Sequence, residues 1–317
     1  MQAYTVSQWL LFFYIYCFFG WVWECCYVSA RKGKWVNRGF LHGPALPIYG
    51  SGAMVILVST IGVRDNIALI FLFGMISSTI LEFVTGYCME KMFGVRYWDY
   101  SNQPLNLMGH ICLFVSLGWG VFSVLLVRIV HRPIEGIVYM LPDTITDIMT
   151  IAMAVDFTQS FNEAMDLKAA IEKLANSNEQ IRILAKRLEV ASAFVEDDYN
   201  KMKEKFAEGK ASVMNKAGSV GKLKGRISFE NDMNERKGVK LATLQRMTEA
   251  VKESLKNKIM DEKAANQLLE TLENEKVNLK ADTGRNYKSV FRIMKRNPGA
   301  ISRKHEEELN EIKRMIK

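Results

Sequence analysis

The sequence predicts an all-α protein in two parts: a polytopic membrane helix bundle of about five spans over residues 1–160, and a long, charged cytoplasmic tail, helical or coiled-coil, over residues 161–317. Three observations predict it. Charge is divided unevenly. Residues 1–160 hold 9 Lys/Arg and 9 Asp/Glu, while the other 33 basic and 25 acidic residues, and with them the whole net charge of +8, fall in 161–317. Apolar runs near the length of about 20 residues that crosses hydrocarbon are confined to the first part. The second part instead repeats apolar residues at spacings of three, four and seven, the period of an amphipathic helix or coiled coil.

The first span is Thr5–Ala30, the second a shorter run over 47–63, the third Ile67–Met89 and the fourth Ile111–Val130. A fifth segment, Ile134–Phe157, is interrupted by "LPDTITDIMT" with Pro142, Asp143 and Asp147; it reads either as a span or as an interfacial helix. The opening "MQAYTVSQWLL" has no basic n-region, and its apolar run is too long for a cleaved signal peptide. Orientation follows the Lys/Arg bias. No basic residue precedes the first span, whereas Arg31, Lys32, Lys34 and Arg38 follow it at once. The expected protein is therefore a multi-pass cell-membrane protein with its N-terminus outside and, after five spans, its tail in the cytoplasm.

Between the first two spans lies "GFLHGPALPIYG", residues 39–50, with three glycines and two prolines. Irregular backbone is not tolerated against lipid, but it is tolerated where protein or a watery cavity satisfies its N–H and C=O groups. One reading is an elbow (Gly43, Pro44, Pro47, Tyr49 and Gly50) that dips into the cytoplasmic face and caps a polar pocket. The other is an ordinary tight loop. Pro47 suits the first turn of the helix that follows.

Candidate pocket residues come from the spans and the next loop. Glu24 and Glu82 lie toward the cytoplasmic ends of spans one and three, and a carboxylate in a bilayer marks a partner, a cavity or a path. Small and polar residues share their faces: Cys17, Gly20, Glu24 and Tyr27 on span one; Ser78, Thr79, Glu82, Thr85 and Gly86 on span three; Gly109, Ser116, Gly120 and Ser123 at span four. Such stripes let helices approach closely. The loop "EKMFGVRYWDYSNQPLNLMGHI" supplies Arg96, Trp98, Asp99, Asn106 and His110. These read either as an interfacial belt or, with Glu24 and Glu82, as the lining of the pocket, Arg96 and His110 being the expected cations.

Several classes of function are disfavoured. The cysteines number five, an odd count, with no CxxC and no spaced histidines, which argues against a disulfide framework or a zinc site. No metal or cofactor is expected. No HExxH or Ser-His-Asp pattern appears, so no catalytic residue is assigned, and a membrane enzyme using Glu24 or Glu82 as acid or base is the least favoured class. There is no GxxxxGK[ST], Lys222 being followed by Leu223, so the chain carries no ATPase motif of its own. No nucleic-acid module accompanies the basic charge, and no nucleic-acid partner is expected.

The ordered motifs "GWVWE" (20–24), "GFLHGPALPIYG" (39–50), "LEFVTGYCMEKMFGVRYWDYS" (81–101) and "NLMGHICL" (106–113) resemble those of the ABC-transporter type IV, CmpB-like membrane proteins. The resemblance covers about residues 5–160, and "RIMKRNPGAISRKHEEELNEIK" (292–313) is similar to the end of family members. Two positions depart from the family's pattern: His110, where members commonly carry Arg, and His42, where Tyr is common. The tail is also longer than the usual member's. The resemblance implies a permease subunit that works with a separate ATPase subunit, and it carries over no catalytic residues.

In the tail, residues 161–205 place Ile171, Leu174, Ile181, Leu184, Leu188 and Phe194 on one stripe, and residues 236–282 do the same with Leu244, Met247, Val251, Leu255, Ile259, Leu268 and Leu272. They suit an antiparallel hairpin. Between them, about residues 207–234, a Gly/Lys-rich linker holds "GKASVMNKAGSVGKLKGRISF", with four glycines, five basic residues and no acid. Beside a bilayer it would meet anionic headgroups at about 1 kcal/mol per basic residue. A final helical pair is broken by "NPG". The leading expectation is a permease-like, transport-associated subunit, its bilayer partner joined by an ATPase or another membrane protein, with self-association through the tail. The alternative is a membrane-anchored scaffold or sensor that acts through the tail.

Overall fold

The computed structural model describes residues 4–33, 35, 37–192, 226–257, 260–281 and 286–316. Much of the Gly/Lys-rich linker, together with Lys34, Phe194 and Ile259 of the expectations above, lies outside the described residues. The described chain is almost wholly helical. In order it forms α1 (Val6–Lys32), α2 (Pro47–Ser59), α3 (Ile67–Phe93), a two-stranded hairpin of β1 (Asn106–Leu107) and β2 (Ile111–Cys112), α4 (Leu113–Leu125), α5 (His131–Met140), α6 (Asp143–Ser192), α7 (Arg226–Lys256), α8 (Glu262–Ala281), α9 (Tyr287–Arg296) and α10 (Glu306–Ile316). It divides into two compact units: Met1–Lys168 with Arg292–Glu306, and Ala169–Phe291 with Glu307–Lys317. The sequence reading kept all of 161–317 in the tail and did not anticipate the return of 292–306 to the first unit.

Local chemistry sets the helix ends of the first unit. α1 starts at a capping box: Thr5 Oγ1 accepts from Gln8 N, and Gln8 Oε1 accepts from Thr5 N. α2 starts with Pro47 in its first turn. Asn66 caps α3 by accepting from the amides of Ala68 and Leu69, and α3 ends at Gly94, whose φ of 70° only glycine adopts without strain.

Among the described residues, three helical stretches are long and apolar enough to cross a membrane: Val6–Ala30, Ile67–Phe93 and Leu113–Met140. The third runs from α4 into α5 through a five-residue π-helical stretch, Leu126–Val130. Pro133 gives the reason. It lacks the N–H that the Ile129 carbonyl would receive in an α-helix, and its ring crowds that turn. α2, at 13 residues, is apolar but shorter. The segment expected as a fifth span, Ile134–Phe157, is not one helix. It is divided at Leu141, which is extended (φ −87°, ψ 134°) because the Pro142 ring excludes α geometry from the residue before it. Its first part completes α5, and its second part opens the 50-residue α6.

A core of Leu11, Phe12, Tyr16, Ala53, Ile56, Leu57, Ile70, Leu126, Val127, Ile134 and Val138 holds α1–α5 together. Their outer faces carry exposed apolar side chains such as Phe19, Trp23, Ile76, Ile80, Phe114 and Val121. Close approach depends on small residues. A Cβ on Gly20 would overlap the Tyr49 side chain, and one on Gly50 would overlap Cys17 Sγ and Phe13. The expected stripes on spans three and four turn inward: on α3 Ser78, Glu82 and Gly86 are buried and Thr79 and Thr85 half-buried, and on α4 Ser116, Gly120 and Ser123 are buried. On α1 the stripe ends sooner, since Tyr27 is exposed while its neighbour Cys25 is buried. In the second unit, Leu184, Leu244, Met247, Val251, Ala265, Leu268, Leu272 and Leu279 form a separate core, with Ile181 and Leu255 packed against it.

Candidate functional site

Glu82 is the centre of the site. It sits inside a span-length helix and is 5% exposed. Two groups from outside α3 reach it: Tyr100 Oη donates to Oε1 at 3.0 Å, and Trp119 Nε1 donates to Oε2 at 3.0 Å. Tyr100 comes from the loop after α3, which folds back because Tyr100 N donates to Gly109 O and the β1–β2 turn closes through His110 N to Leu107 O. Asn106 shapes that turn. Its Oδ1 accepts from Gly109 N, while its Nδ2 donates to Ser101 O and Gln103 O. Burial and the neighbouring Glu82 carboxylate push the Tyr100 hydroxyl well above its usual range, so it remains a donor.

Trp119 links this carboxylate to the second one. The Tyr49 ring lies 6.0 Å from the Trp119 ring, and Tyr49 Oη donates to Glu24 Oε2 at 3.0 Å. Arg38 reaches Glu24 Oε1 from the other side at 3.3 Å. Glu24, Tyr49, Trp119, Glu82 and Tyr100 thus form one continuous arrangement. Tyr49 brings the elbow into it.

The expected pairing of the carboxylates is corrected. Neither Arg96 nor His110 reaches Glu24 or Glu82. Arg96, 3% exposed, pairs with Glu90 at 2.7 Å and Asp99 at 3.2 Å, and donates to Met108 O. His110 Nε2 lies 3.1 Å from the same Glu90 carboxylate. Trp98 Nε1 donates to His110 O. The physical reason is spacing. Glu90 lies two turns beyond Glu82 on the same helix, nearer the point where the loop turns back, so it meets the loop's cations first. Arg96, Trp98, Asp99, Asn106 and His110 therefore form a second cluster that braces the loop. Burial alone would raise Asp99, but hydrogen bonds from Ser101 and the Arg96 guanidinium hold it below the usual carboxylate range. Burial and the nearby Arg96 push His110 below the usual imidazole range, against the pull of Glu90.

The elbow is held by groups that the sequence reading did not name. Asp156 of α6 accepts from the backbone N–H groups of His42 at 2.8 Å and Gly43 at 2.7 Å. The His42 ring lies between Asp156 (3.0 Å) and Glu163 (3.2 Å). Glu163 also binds Arg292 at 3.1 Å and Arg296 at 2.5 Å. Asn297 Nδ2 donates to Gly39 O, and Arg96 and Ile301 exchange backbone hydrogen bonds. Of the elbow residues, Gly43 is thus fixed by Asp156, Tyr49 by Glu24, and Pro47 and Gly50 by their places in α2. One signal was available: Asp156 and Glu163 are seven apart on one helical face, and "RNPGAIS" stands out within an otherwise charged tail.

Three helices able to cross a membrane, lined on their inner faces by this arrangement, mark the chain as a membrane protein. No curated protein and no solved structure matches it. Residues 11–161, which hold Glu24, the elbow, Glu82 and the loop cluster, match the model of the family described as "Putative ABC-transporter type IV", the family that its motifs resemble.

Proposed function

We propose that the chain is a permease-like, transport-associated membrane subunit whose working site is the Glu24–Tyr49–Trp119–Glu82–Tyr100 arrangement, and that a separate ATPase subunit drives it. One observation carries this reading: among the described residues, Glu82, buried in a span-length helix, is held by neutral donors alone. Buried ionisable groups within spans usually mark the path of a substrate or ion. The family's description supports the transporter class.

The proposed topology has five passes, with the N-terminus outside and the tail in the cytoplasm. α1, α3 and α4–α5 make three passes, and the short α2 with the elbow makes a fourth. The first turns of α6 make the fifth. They run beside α1 in the same direction, since Ser7 meets Thr146 at 2.8 Å and Tyr14 meets Thr150 at 2.7 Å. Exposed Ile148, Ile151 and Val155 give that stretch an apolar outer face. Glu24, Glu82 and the elbow then lie toward the cytoplasmic side.

The test is flux in reconstituted vesicles, with and without co-purified ATPase, for the wild type and Glu82→Gln. ATPase-dependent flux that Glu82→Gln abolishes supports the reading; flux unchanged by the substitution ends it. The scaffold alternative is favoured by one feature, the 50-residue α6 that continues from the membrane unit into the tail unit. It predicts that partner binding survives Glu82→Gln and is lost on deletion of 169–291.

A further inference from the structure

A second polar cluster lies at the other end of the bundle, where α1 begins. His131, 2% exposed, follows directly on the π-helical stretch Leu126–Val130. Single π turns within α-helices are frequent at functional sites. Both ring nitrogens have partners: Tyr16 Oη lies 2.9 Å from Nδ1, and Tyr4 Oη lies 3.3 Å from Nε2. Tyr4 Oη also donates to Glu135 Oε1 at 2.5 Å. Phe12 packs against the ring, with centroids 5.0 Å apart. Arg64, from the link between α2 and α3, faces the ring and Tyr4. Among the described residues, the titratable and charged groups around His131 and the Glu135 carboxylate are Tyr4, Tyr16, Arg64 (which also hydrogen-bonds Tyr4), Glu135 and Tyr139, which hydrogen-bonds Glu135 and has its ring 6.3 Å from the Tyr4 ring.

Donor counting fixes the direction of every proton. A phenol has one proton, and Tyr4 gives its own to Glu135, so Tyr4 Oη must accept from the ring. The ring therefore carries its proton on Nε2. Its Nδ1 then presents a lone pair, which Tyr16 fills by donating. The neutral ring satisfies every group, and Arg64 and Glu135 offset each other around it. The protons run one way: Tyr16 to His131, His131 to Tyr4, Tyr4 to Glu135. Tyr16 is 4% exposed and faces the interior, whereas Tyr4 and Glu135 are only half-buried.

We propose that Tyr16–His131–Tyr4–Glu135 is a proton-transfer chain linking the bundle interior to the water at this end. One proton supplied by water at Tyr16 Oη lets each bridging proton advance one place. The Tyr16 O–H bond breaks as Nδ1–H forms, Nε2–H breaks as a new Tyr4 O–H forms, and the former Tyr4 O–H breaks as Glu135 is protonated. Tyr16 keeps the incoming proton, the ring ends with its proton on Nδ1, and Glu135 releases its own to water. The chain resets when the two phenol hydroxyls turn about their C–O bonds and the ring regains its Nε2–H tautomer by exchange with water; simple return of the bridging protons would undo the transfer. The inference is independent of the transport reading, because it concerns the ring and not a cargo.

The test is 15N NMR of histidine in the full chain in lipid nanodiscs, with His131→Gln identifying the signal among the four histidines. The wild type at pH 7 is expected to show a neutral ring protonated on Nε2. Tyr4→Phe should move that proton to Nδ1, and Tyr16→Phe should leave it in place. Glu135→Gln keeps an acceptor for Tyr4 but cannot take up a proton. It should slow exchange of the ring N–H with water about tenfold or more, within the range of a lost acid–base step. A wild-type imidazolium, a wild-type Nδ1–H ring, or exchange unaffected by Glu135→Gln overturns the proposal. If Tyr4→Phe fails to fold, the wild-type tautomer and the Glu135→Gln exchange rate still decide it.

Discussion

Glu82 and Glu163 are each only 5% exposed, and they are held in opposite ways. Glu163 binds two guanidinium groups and the His42 ring. Glu82 binds a phenol and an indole. The difference shows which carboxylate can change state. Neutralising Glu163 strands Arg296, whose side chain is 11% exposed, while Arg292, 41% exposed, keeps water. Neutralising Glu82 strands no cation. A carboxylate tied to cations holds elements together, and one held by neutral donors is free to exchange a proton or a ligand.

The largest expected effect separates the two. Arg only donates, so an amide N–H at position 163 would face the guanidinium donors of Arg292 and Arg296. Glu163→Gln should therefore destabilise the protein by about 3–5 kcal/mol, the cost of breaking a buried pair. At position 82 the amide finds partners on both sides. Its oxygen accepts from Trp119, and its N–H₂ donates to Tyr100, whose hydroxyl can accept. Glu82→Gln should stay within about 1 kcal/mol of the wild type, one neutral hydrogen bond's worth. Thermal unfolding in detergent reads both. Equal losses would break the comparison.

Lys240 offers the same arrangement with the opposite sign. This half-buried ammonium in the second unit donates to Ser177 Oγ at 3.2 Å, with Glu308 as a weaker, opposing neighbour. Burial, with Arg236 nearby, pushes it down from 10.5 to about 8. The folded form therefore binds fewer protons than the unfolded form between those values. Stability is fully present above pH 10.5 and is lost as pH falls to about 8. At about 1.4 kcal/mol per pH unit the gain across that window is about 3 kcal/mol. Hydrogen exchange of α7 amides, corrected for intrinsic rates, should slow as pH rises through the window. Lys240→Met should abolish the dependence.

Much of this was legible in the sequence, for identifiable reasons. Continuous apolar runs marked α1, α3 and α4, because a helix exposed to lipid needs no polar face. Glu24 and Glu82 stood out because carboxylates in apolar runs demand partners, whereas Tyr49 stood out only as part of the turn-rich elbow. The partners themselves were not legible. Arg96 and His110 stood at the right end of the right helix, yet Glu90 intercepts them, and only the fold of the 94–112 loop decides that. Arg292 and Arg296 lie more than 120 residues from Glu163, beyond any periodicity. His131 was hidden by its setting: within a helix of apolar composition, nothing in the spacing shows two phenols from α1 and its entry converging on one ring.

The elbow gives an intermediate effect. Asp156 accepts two backbone N–H groups, one on each oxygen. Asp156→Asn leaves one amide of the elbow facing a donor. The expected loss is about 1–3 kcal/mol, the cost of one buried unsatisfied group. Because His42 and Gly43 lead into α2, proteolysis between residues 37 and 46 should quicken in this variant and not in Glu82→Gln. Equal protection in both would detach the elbow from α6.

The smallest effect reads the charge on Glu82 directly. A hydrogen bond to an ionised acceptor contributes about 1.5–3 kcal/mol, whereas one between neutral groups contributes about 0.5–1.5 kcal/mol. Tyr100→Phe removes the bond to Oε1 and leaves the Trp119 bond to Oε2 in place. Its cost in the wild-type background therefore depends on whether Glu82 carries a charge. In the Glu82→Gln background the same substitution removes a bond between neutral groups. The difference between the two costs is the coupling of a double-mutant cycle, and it cancels the packing change from Tyr to Phe. Glu82 ionised predicts a coupling of about 1 kcal/mol or more, from the gap between those two ranges. A coupling near zero means that Glu82 is already protonated at rest. Its working state would then be the one that releases a proton, and the roles of Tyr100 and Trp119 would turn from holding a charge to receiving one.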